Sequence, residues 1–322
     1  MDHASKIFIA GHLGLVGSAL TKTLQDKGYQ NLITKTHAQL DLSDGARVEE
    51  FFKEQAPEYV FLSAAKVGGI YANNTYRADF IYQNLAIQNN VIYNAYRYGV
   101  KKLLFLGSSC IYPKNAPQPI KESYLLTSEL EYTNEPYAIA KIAGLKMCEA
   151  FNLQYGCNFI AVMPTNLYGQ NDNFDPETSH VLPALIAKFH QAKLSGSPSV
   201  LLWGSGEPRR EFLYSLDMAE ACVYIMENID FKDLIISTQE IKNTHINIGY
   251  GSDISIKELA LLIQDIIGYD GEIVFDTSKP DGTYQKLLDS SKLNAMGFKP
   301  KTTLKEGIKK VYDWYIKNNE KK

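Results

Sequence analysis

A short apolar run, Lys6-Ile7-Phe8-Ile9-Ala10, leads straight into Gly11-His12-Leu13-Gly14-Leu15-Val16-Gly17. Beyond it Leu15, Val16, Ala19, Leu20 and Leu24 recur at helical spacing, and Gly28 ends the pattern. A buried strand, a glycine turn and a helix form the unit that binds dinucleotides. Gly11 permits the tight turn. Gly14 lets backbone approach a pyrophosphate, and Gly17 lets helix and strand pack closely. The helix N-terminus then faces the phosphates. The spacing is G-x-x-G-x-x-G, and Gly11 through Gly17 are the expected cofactor turn.

The same alternation continues. Leu32-Ile33-Thr34, Tyr59 to Ala65, Lys102 to Leu106 and Phe159 to Met163 read as strands. Asp79 to Tyr98 carries an apolar stripe and reads as a long helix. No hairpin signal precedes residue 169, so a doubly wound parallel α/β sheet is expected. A cofactor without a 2′-phosphate usually meets a carboxylate after the second strand. Here the chain reads Lys35-Thr36-His37, with none before Asp41. Lys35, with His37, suits a 2′-phosphate and favours NADP over NAD.

Three loops at the carboxyl edge of this sheet carry polar chemistry. After Leu106 come Gly107-Ser108-Ser109-Cys110, where Ser108 suits donation to a substrate oxygen. An extended chain sends the Cys110 side chain the same way as Ser108. Cys148, Cys157 and Cys222 lie among helix or strand residues and read as packing. Asn134-Glu135-Pro136-Tyr137 opens a helix that runs to about Tyr155, with proline in the tolerant first turn. Tyr137 and Lys141 are one turn apart on one face. The spacing predicts that the lysine lowers the phenol's pKa, making a proton donor for a developing alkoxide.

After residue 169 the pattern becomes α+β. His180 stands at a loop-to-helix junction, and Lys188 lies on that helix. Trp203 suits stacking on a base or sugar, and the Arg209-Arg210 pair suits phosphate contacts. Capping boxes are expected at Ser255–Glu258 and Thr303–Glu306. The domain expectation is a nucleotide-binding unit over 1–169, with segments near 212–228 and 245–250 returning to it. A smaller lobe covers 170–322.

Composition narrows the class. A net charge of −3 without a basic run argues against nucleic acid. No apolar run suits a membrane span, and the first residues lack the layout of a signal peptide. Four cysteines without a C-x-x-C pair suit a reduced, cytoplasmic setting, and no metal site is expected.

The glycine turn, Ser108 and Tyr137-x-x-x-Lys141 together resemble the extended short-chain dehydrogenases/reductases. The resemblance narrows at Ala64 to Ile70, Asn73 to Thr75, Leu106 to Lys114, Thr133 to Gly144 and Pro164 to Gly169. These stretches, with Trp203 to Gly206, Arg210 to Phe212 and Lys279 to Gly282, are similar to the GDP-L-fucose synthase family. That family is a bifunctional NADPH-dependent 3,5-epimerase and 4-reductase of GDP-4-keto-6-deoxymannose. The resemblance implies Ser108, Tyr137 and Lys141 as a reductase triad, and Cys110 and His180 as epimerase base and acid. It implies Leu106, Gly107, Ser108, Ser109, Pro164, Thr165, Asn166, Leu167 and His180 along the cofactor. Lys188, Trp203, Arg210 and Asp281 would hold the GDP-sugar, and a homodimer would form through helices near 79–98 and 137–155. The family often has arginine within the first glycine turn and after the second strand. This chain has Leu13, and Lys35 with His37, which weakens the NADP preference.

Two other readings compete. One is a 4-reductase or single-centre epimerase on a related GDP-4-keto-6-deoxyheptose or dideoxy sugar of surface polysaccharide. The other is a non-catalytic, NADP-sensing protein, although such proteins tend to lose the tyrosine or lysine. A 4,6-dehydratase fits less well, because that group places Asp-Glu after a Thr where this chain has Ser109-Cys110-Ile111.

Overall fold

The computed structural model describes residues 1–175, 178–237, 239–279 and 281–319. Pro280, within the loop resembling the family's Lys279–Gly282, lies outside the described residues. The first half alternates strand and helix throughout: β1 (Ile7–Ala10), α1 (Leu15–Asp26), β2 (Leu32–Ile33), α2 (Gly45–Gln55) and β3 (Tyr59–Leu62). It continues with α3 (Ile70–Thr75), α4 (Arg77–Arg97), β4 (Lys102–Leu106), α5 (Glu135–Tyr155) and β5 (Phe159–Pro164). Then come β6 (Asn166–Tyr168), α6 (Val181–Ser195), β7 (Ser199–Trp203), β8 (Arg209–Tyr214), α7 (Ser215–Asn228) and β9 (Ile246–Ile248). The remainder is β10 (Asp253–Ser255), α8 (Ile256–Ile267), β11 (Glu272–Asp276), β12 (Gln285–Lys286), α9 (Ser291–Ala295) and α10 (Leu304–Asn319).

Six strands form one sheet in the order β2-β1-β3-β4-β5-β9, every pair parallel. Parallel strands need crossovers, and the helices supply them on both faces. Alternation along β1 shows the result. Ile7 and Ile9 face one core with Val16, Leu20 and Leu24 of α1 and Met218, Cys222 and Ile225 of α7. Phe8 and Ala10 face the other, with Phe51 and Phe52 of α2, Val91 and Ile92 of α4 and Leu145 of α5. Each such buried Ile, Leu or Phe contributes roughly 1.5–3 kcal/mol. Leu293 and Phe298, from near α9, join the first core.

A separate core lies among α6, α8, α10, β7 and β8, around Leu185, Phe189, Leu202, Phe212, Ile263 and Val311. The capping box at α8 is complete. At α10 the Thr303 and Glu306 side chains likewise each accept the other's backbone N–H. Here β8 pairs with β10 antiparallel and with β12 and β6 in parallel, while β7 pairs with β11. The sequence reading leaves these pairings unspecified. Strands β6, β10 and β12 have only two or three residues each, too few positions to reveal a period.

Strand order reverses about β1, whose neighbours β2 and β3 lead away in opposite directions. Ligands in such sheets bind beyond the carboxyl ends of the strands near that point. The turns after β1, β4 and β5, with the start of α5, all open there.

Candidate active site

The turn after β1 has the dimensions of a phosphate cradle. Gly11 takes φ +87°, and a Cβ there would sit 2.8 Å from the Ala64 backbone. A Cβ on Gly17 would sit 2.0 Å from the Gly11 carbonyl oxygen, so α1 can start here only with glycine. Gly14 caps α1 without any side-chain bond, which leaves first-turn N–H groups pointing out of the turn. His12 Nδ1 is buried without a hydrogen-bond partner among the described residues. Free donors at a helix N-terminus, a close backbone and an orphaned ring nitrogen fit a dinucleotide diphosphate. Leu13 is exposed. Two residues past β2 stands Lys35, and the nearby His37 imidazole lies 3.7 Å from Asp41.

The turn after β4 curls into a short 3₁₀ segment, Ser109–Ile111. Ser108 starts it by accepting the Cys110 N–H at 3.2 Å. The curl departs from the extended chain predicted for Ser108 and Cys110. It nevertheless keeps both near Tyr137, whose pKa Cys110 raises and Ser108 lowers.

Pro136 lies in the first turn of α5, which places half-buried Tyr137 and buried Lys141 one turn apart. The Lys141 ammonium is 5.7 Å from the Tyr137 ring centre and 4.9 Å from that of Phe105. It donates to the Leu106 carbonyl at 2.8 Å. The predicted effect on the phenol is reversed here. Tyr137's pKa is raised, first by burial and then by Cys110, with only the Ser108 bond opposing. Lys141 cannot offset this, because burial lowers its own ammonium to about 7. Tyr137 therefore rests as a neutral donor.

Cys110 Sγ has two donors that the sequence does not connect with it. Asn134 Nδ2 lies 3.4 Å away and Lys286 Nζ 3.7 Å away. Cys148 and Cys222 are buried and Cys157 is half-buried. His180 is the N-cap position of α6, without a side-chain capping bond. Its imidazole is reachable by solvent, yet the protein around it lowers its pKa.

Thr165 and Asn166 both donate to the Glu211 carbonyl, at 3.3 and 2.8 Å, tying the end of β5 to β8. Pro164 closes β5, and Leu167 lies in β6 against the first core.

A further cluster gathers around β7 and β8. Trp203 ends β7 and is 72% exposed, an open aromatic face with the Lys279 ammonium 5.7 Å from its ring centre. Lys188 donates to the Leu201 carbonyl at 2.9 Å. Asp281 accepts from Ser205 N and Oγ at 2.9 and 2.7 Å, and these bonds hold its carboxyl below the usual range. A Cβ on Gly282 would lie 3.1 Å from the Arg210 guanidinium, and burial lowers the pKa of Arg210. An open indole with lysine and arginine around it fits a base and a diphosphate.

Residues 7–249 match the model of the NAD dependent epimerase/dehydratase family. The chain belongs to this family. Among epimerase/dehydratase relatives, GDP-L-fucose synthase 1 of Arabidopsis thaliana is 56% identical over 317 residues, covering 98% of this chain and 95% of the relative. GDP-L-fucose synthase of Escherichia coli K12 is 51% identical over 316 residues, covering 98% of each. The chain is also similar to a solved GDP-mannoheptose C4 reductase of Campylobacter jejuni with NADP bound. That structure gives a TM-score of 0.91 at 50% identity, covering 98% of this chain and 99% of the other.

Among the described residues no helix is long and apolar enough to cross a membrane. No group of His, Cys, Asp and Glu among them could hold a metal ion.

Proposed function

We propose that the chain is a bifunctional epimerase and 4-reductase that converts a GDP-4-keto-6-deoxymannose-type sugar to a GDP-L-fucose-type product with NADPH. The observation that carries the reading is one oxygen-binding corner, Ser108 with Tyr137, placed against a thiol, Cys110.

A 4-keto group acidifies the neighbouring C–H bonds, because the electron pair left behind moves onto O4 as an enolate. Ser108 and Tyr137 donate to that oxygen and stabilise the charge. Cys110 removes a proton from carbon, and His180 returns one on the opposite face, which inverts the centre. Tyr137 later gives its proton to O4 as the alkoxide forms. Gly11 to Gly17, Lys35, Leu106 to Ser109, Lys141 and Pro164 to Leu167 would hold the NADPH. When bound, that cofactor supplies the hydride that reduces C4. Lys188, Trp203, Arg210 and Asp281 hold the GDP.

In this reading the unit 1–169, with 212–228 and 245–250, carries the cofactor, and the remainder of 170–322 carries the sugar nucleotide. The protein works in the cytoplasm as a homodimer joined through α4 and α5, where Tyr82, Ile139 and Leu153 are exposed.

The test supplies GDP-4-keto-6-deoxymannose and NADPH. NADPH absorbance should fall only with the sugar present, and NMR should show inversion at C3 and C5. A reduced product with both centres unchanged would support the second reading, a C4 reductase like the heptose enzyme of similar structure.

A further inference from the structure

We propose that Lys286 makes Cys110 a base, by holding its sulfur as a thiolate with help from Asn134. The inference rests on the epimerase reading above and adds a residue to it.

Cys110 Sγ is the acceptor for both nearby donors, Asn134 Nδ2 and Lys286 Nζ. Donation to sulfur, and a cation beside it, both favour the charged form of a thiol. The neighbouring carboxylates Asp253 and Glu258 pair with Arg209, while Lys286 Nζ donates to Cys110 Sγ. Asn134 Oδ1 is buried without a partner among the described residues, so the amide keeps a vacant acceptor near the sulfur.

The placement of Lys286 is built by the fold. It lies in β12, in register with Arg210 of β8. The next residue is fixed on both sides, Leu287 N donating to Gln118 Oε1 at 2.8 Å and its carbonyl accepting Ile120 N at 2.7 Å. Leu288 N donates to the Glu211 carboxylate at 3.0 Å, and Glu211 is fully buried. These tethers aim one ammonium at one sulfur across 176 positions of sequence.

The proton balance is simple. At rest the pair is thiolate and ammonium, the thiol proton having gone to solvent. The thiolate takes a proton from the carbon beside the ketone and becomes S–H. The C–H electron pair moves to O4 as the enolate. His180 takes a proton from solvent, gives it to carbon on the other face and is left neutral, and its lowered pKa makes it the stronger acid. Lys286 transfers nothing and acts through Cys110, which makes it a positioning residue.

Because Lys286 is in register with Arg210, a diphosphate contact is the rival role. The experiment separates the two by reading the thiol with no sugar present. Iodoacetamide, which is uncharged, alkylates the enzyme at neutral pH, and mass spectrometry follows the Cys110 peptide. K286M should slow that alkylation by about tenfold or more, and K286R should restore most of it. Deuterium entry into substrate in D₂O should fall by a similar factor with KM little changed. NADPH titration of each variant verifies the fold. Alkylation of K286M at the wild-type rate would overturn the proposal, as would a raised KM with the thiol unaffected. Persistence of deuterium entry in C110S would instead defeat the epimerase reading, and the sugar-free alkylation result would stand apart from it.

Discussion

The Lys141 ammonium rests 5.7 Å from the centre of the Tyr137 ring, and its nearest acceptor is a backbone carbonyl on β4. The phenol beside it is burdened by burial and by the thiol. Tyr137 is therefore a protonated donor near Ser108, and in the proposed mechanism this one corner serves both half-reactions. Tyr137→Phe should lower enolate formation and ketone reduction together, each by about 10²–10⁴-fold. Deuterium exchange and NADPH oxidation measured on the same variant test this. Loss of one without the other contradicts the shared corner.

In the proposed mechanism Cys110 and His180 serve only the proton transfers. Cys110→Ser should abolish most of the epimerisation, by about 10²-fold or more, while reduction of an already epimerised ketone stays within a few-fold of wild type. The check is NADPH oxidation on a chemically supplied 3,5-inverted ketone. Equal loss of both activities would show that the thiol does something other than move protons.

The turn at residues 11–17, which is proposed to hold the cofactor, is sterically closed to any side chain at residue 17. Gly17→Ala would place a methyl carbon 2.0 Å from the Gly11 carbonyl oxygen. The backbone must shift, and NADPH affinity should fall by about tenfold or more, with a lower Tm. Fluorescence titration with NADPH reads the first and calorimetry the second.

Lys141 gives the apoprotein a distinctive pH dependence. Burial takes its ammonium from an ordinary value of 10.5 to about 7. Between those limits the unfolded chain binds more protons than the folded one, so the stability contribution rises with pH. Below pH 7 the full penalty is present, and it is relieved as pH climbs to about 10.5, by at most about 1.4 kcal/mol per unit. Lys141→Met should flatten that part of the stability curve and be relatively more stable at low pH. Urea denaturation across the range tests it; a parallel curve for the variant would contradict the assignment.

Much of this arrangement is legible along the chain because it is local. The glycine turn at 11–17, the proline-opened helix bearing Tyr137 and Lys141, and both capping boxes are set by residues within a few positions of one another. The parallel sheet follows from the alternation of strands and helices. What escapes sequence reading depends on contacts between distant segments. Two-residue β12 has no period to detect, so nothing in the sequence sets Lys286 beside Cys110. The sign of the Tyr137 shift is lost for a related reason. Spacing reveals the lysine one turn away, but not that Lys141 is buried and faces the Leu106 carbonyl, or that the protein around Tyr137 raises its pKa.

In the proposed mechanism one ketone oxygen is gripped while protons move beside it and hydride later arrives. The direct measurement is incubation with GDP-4-keto-6-deoxymannose in D₂O, without NADPH and then with it, followed by NMR. Deuterium should enter C3 and C5 before any reduction, and should fail to enter in Tyr137→Phe and Cys110→Ser alike. A product reduced at C4 that carries no solvent deuterium at either carbon would contradict the account.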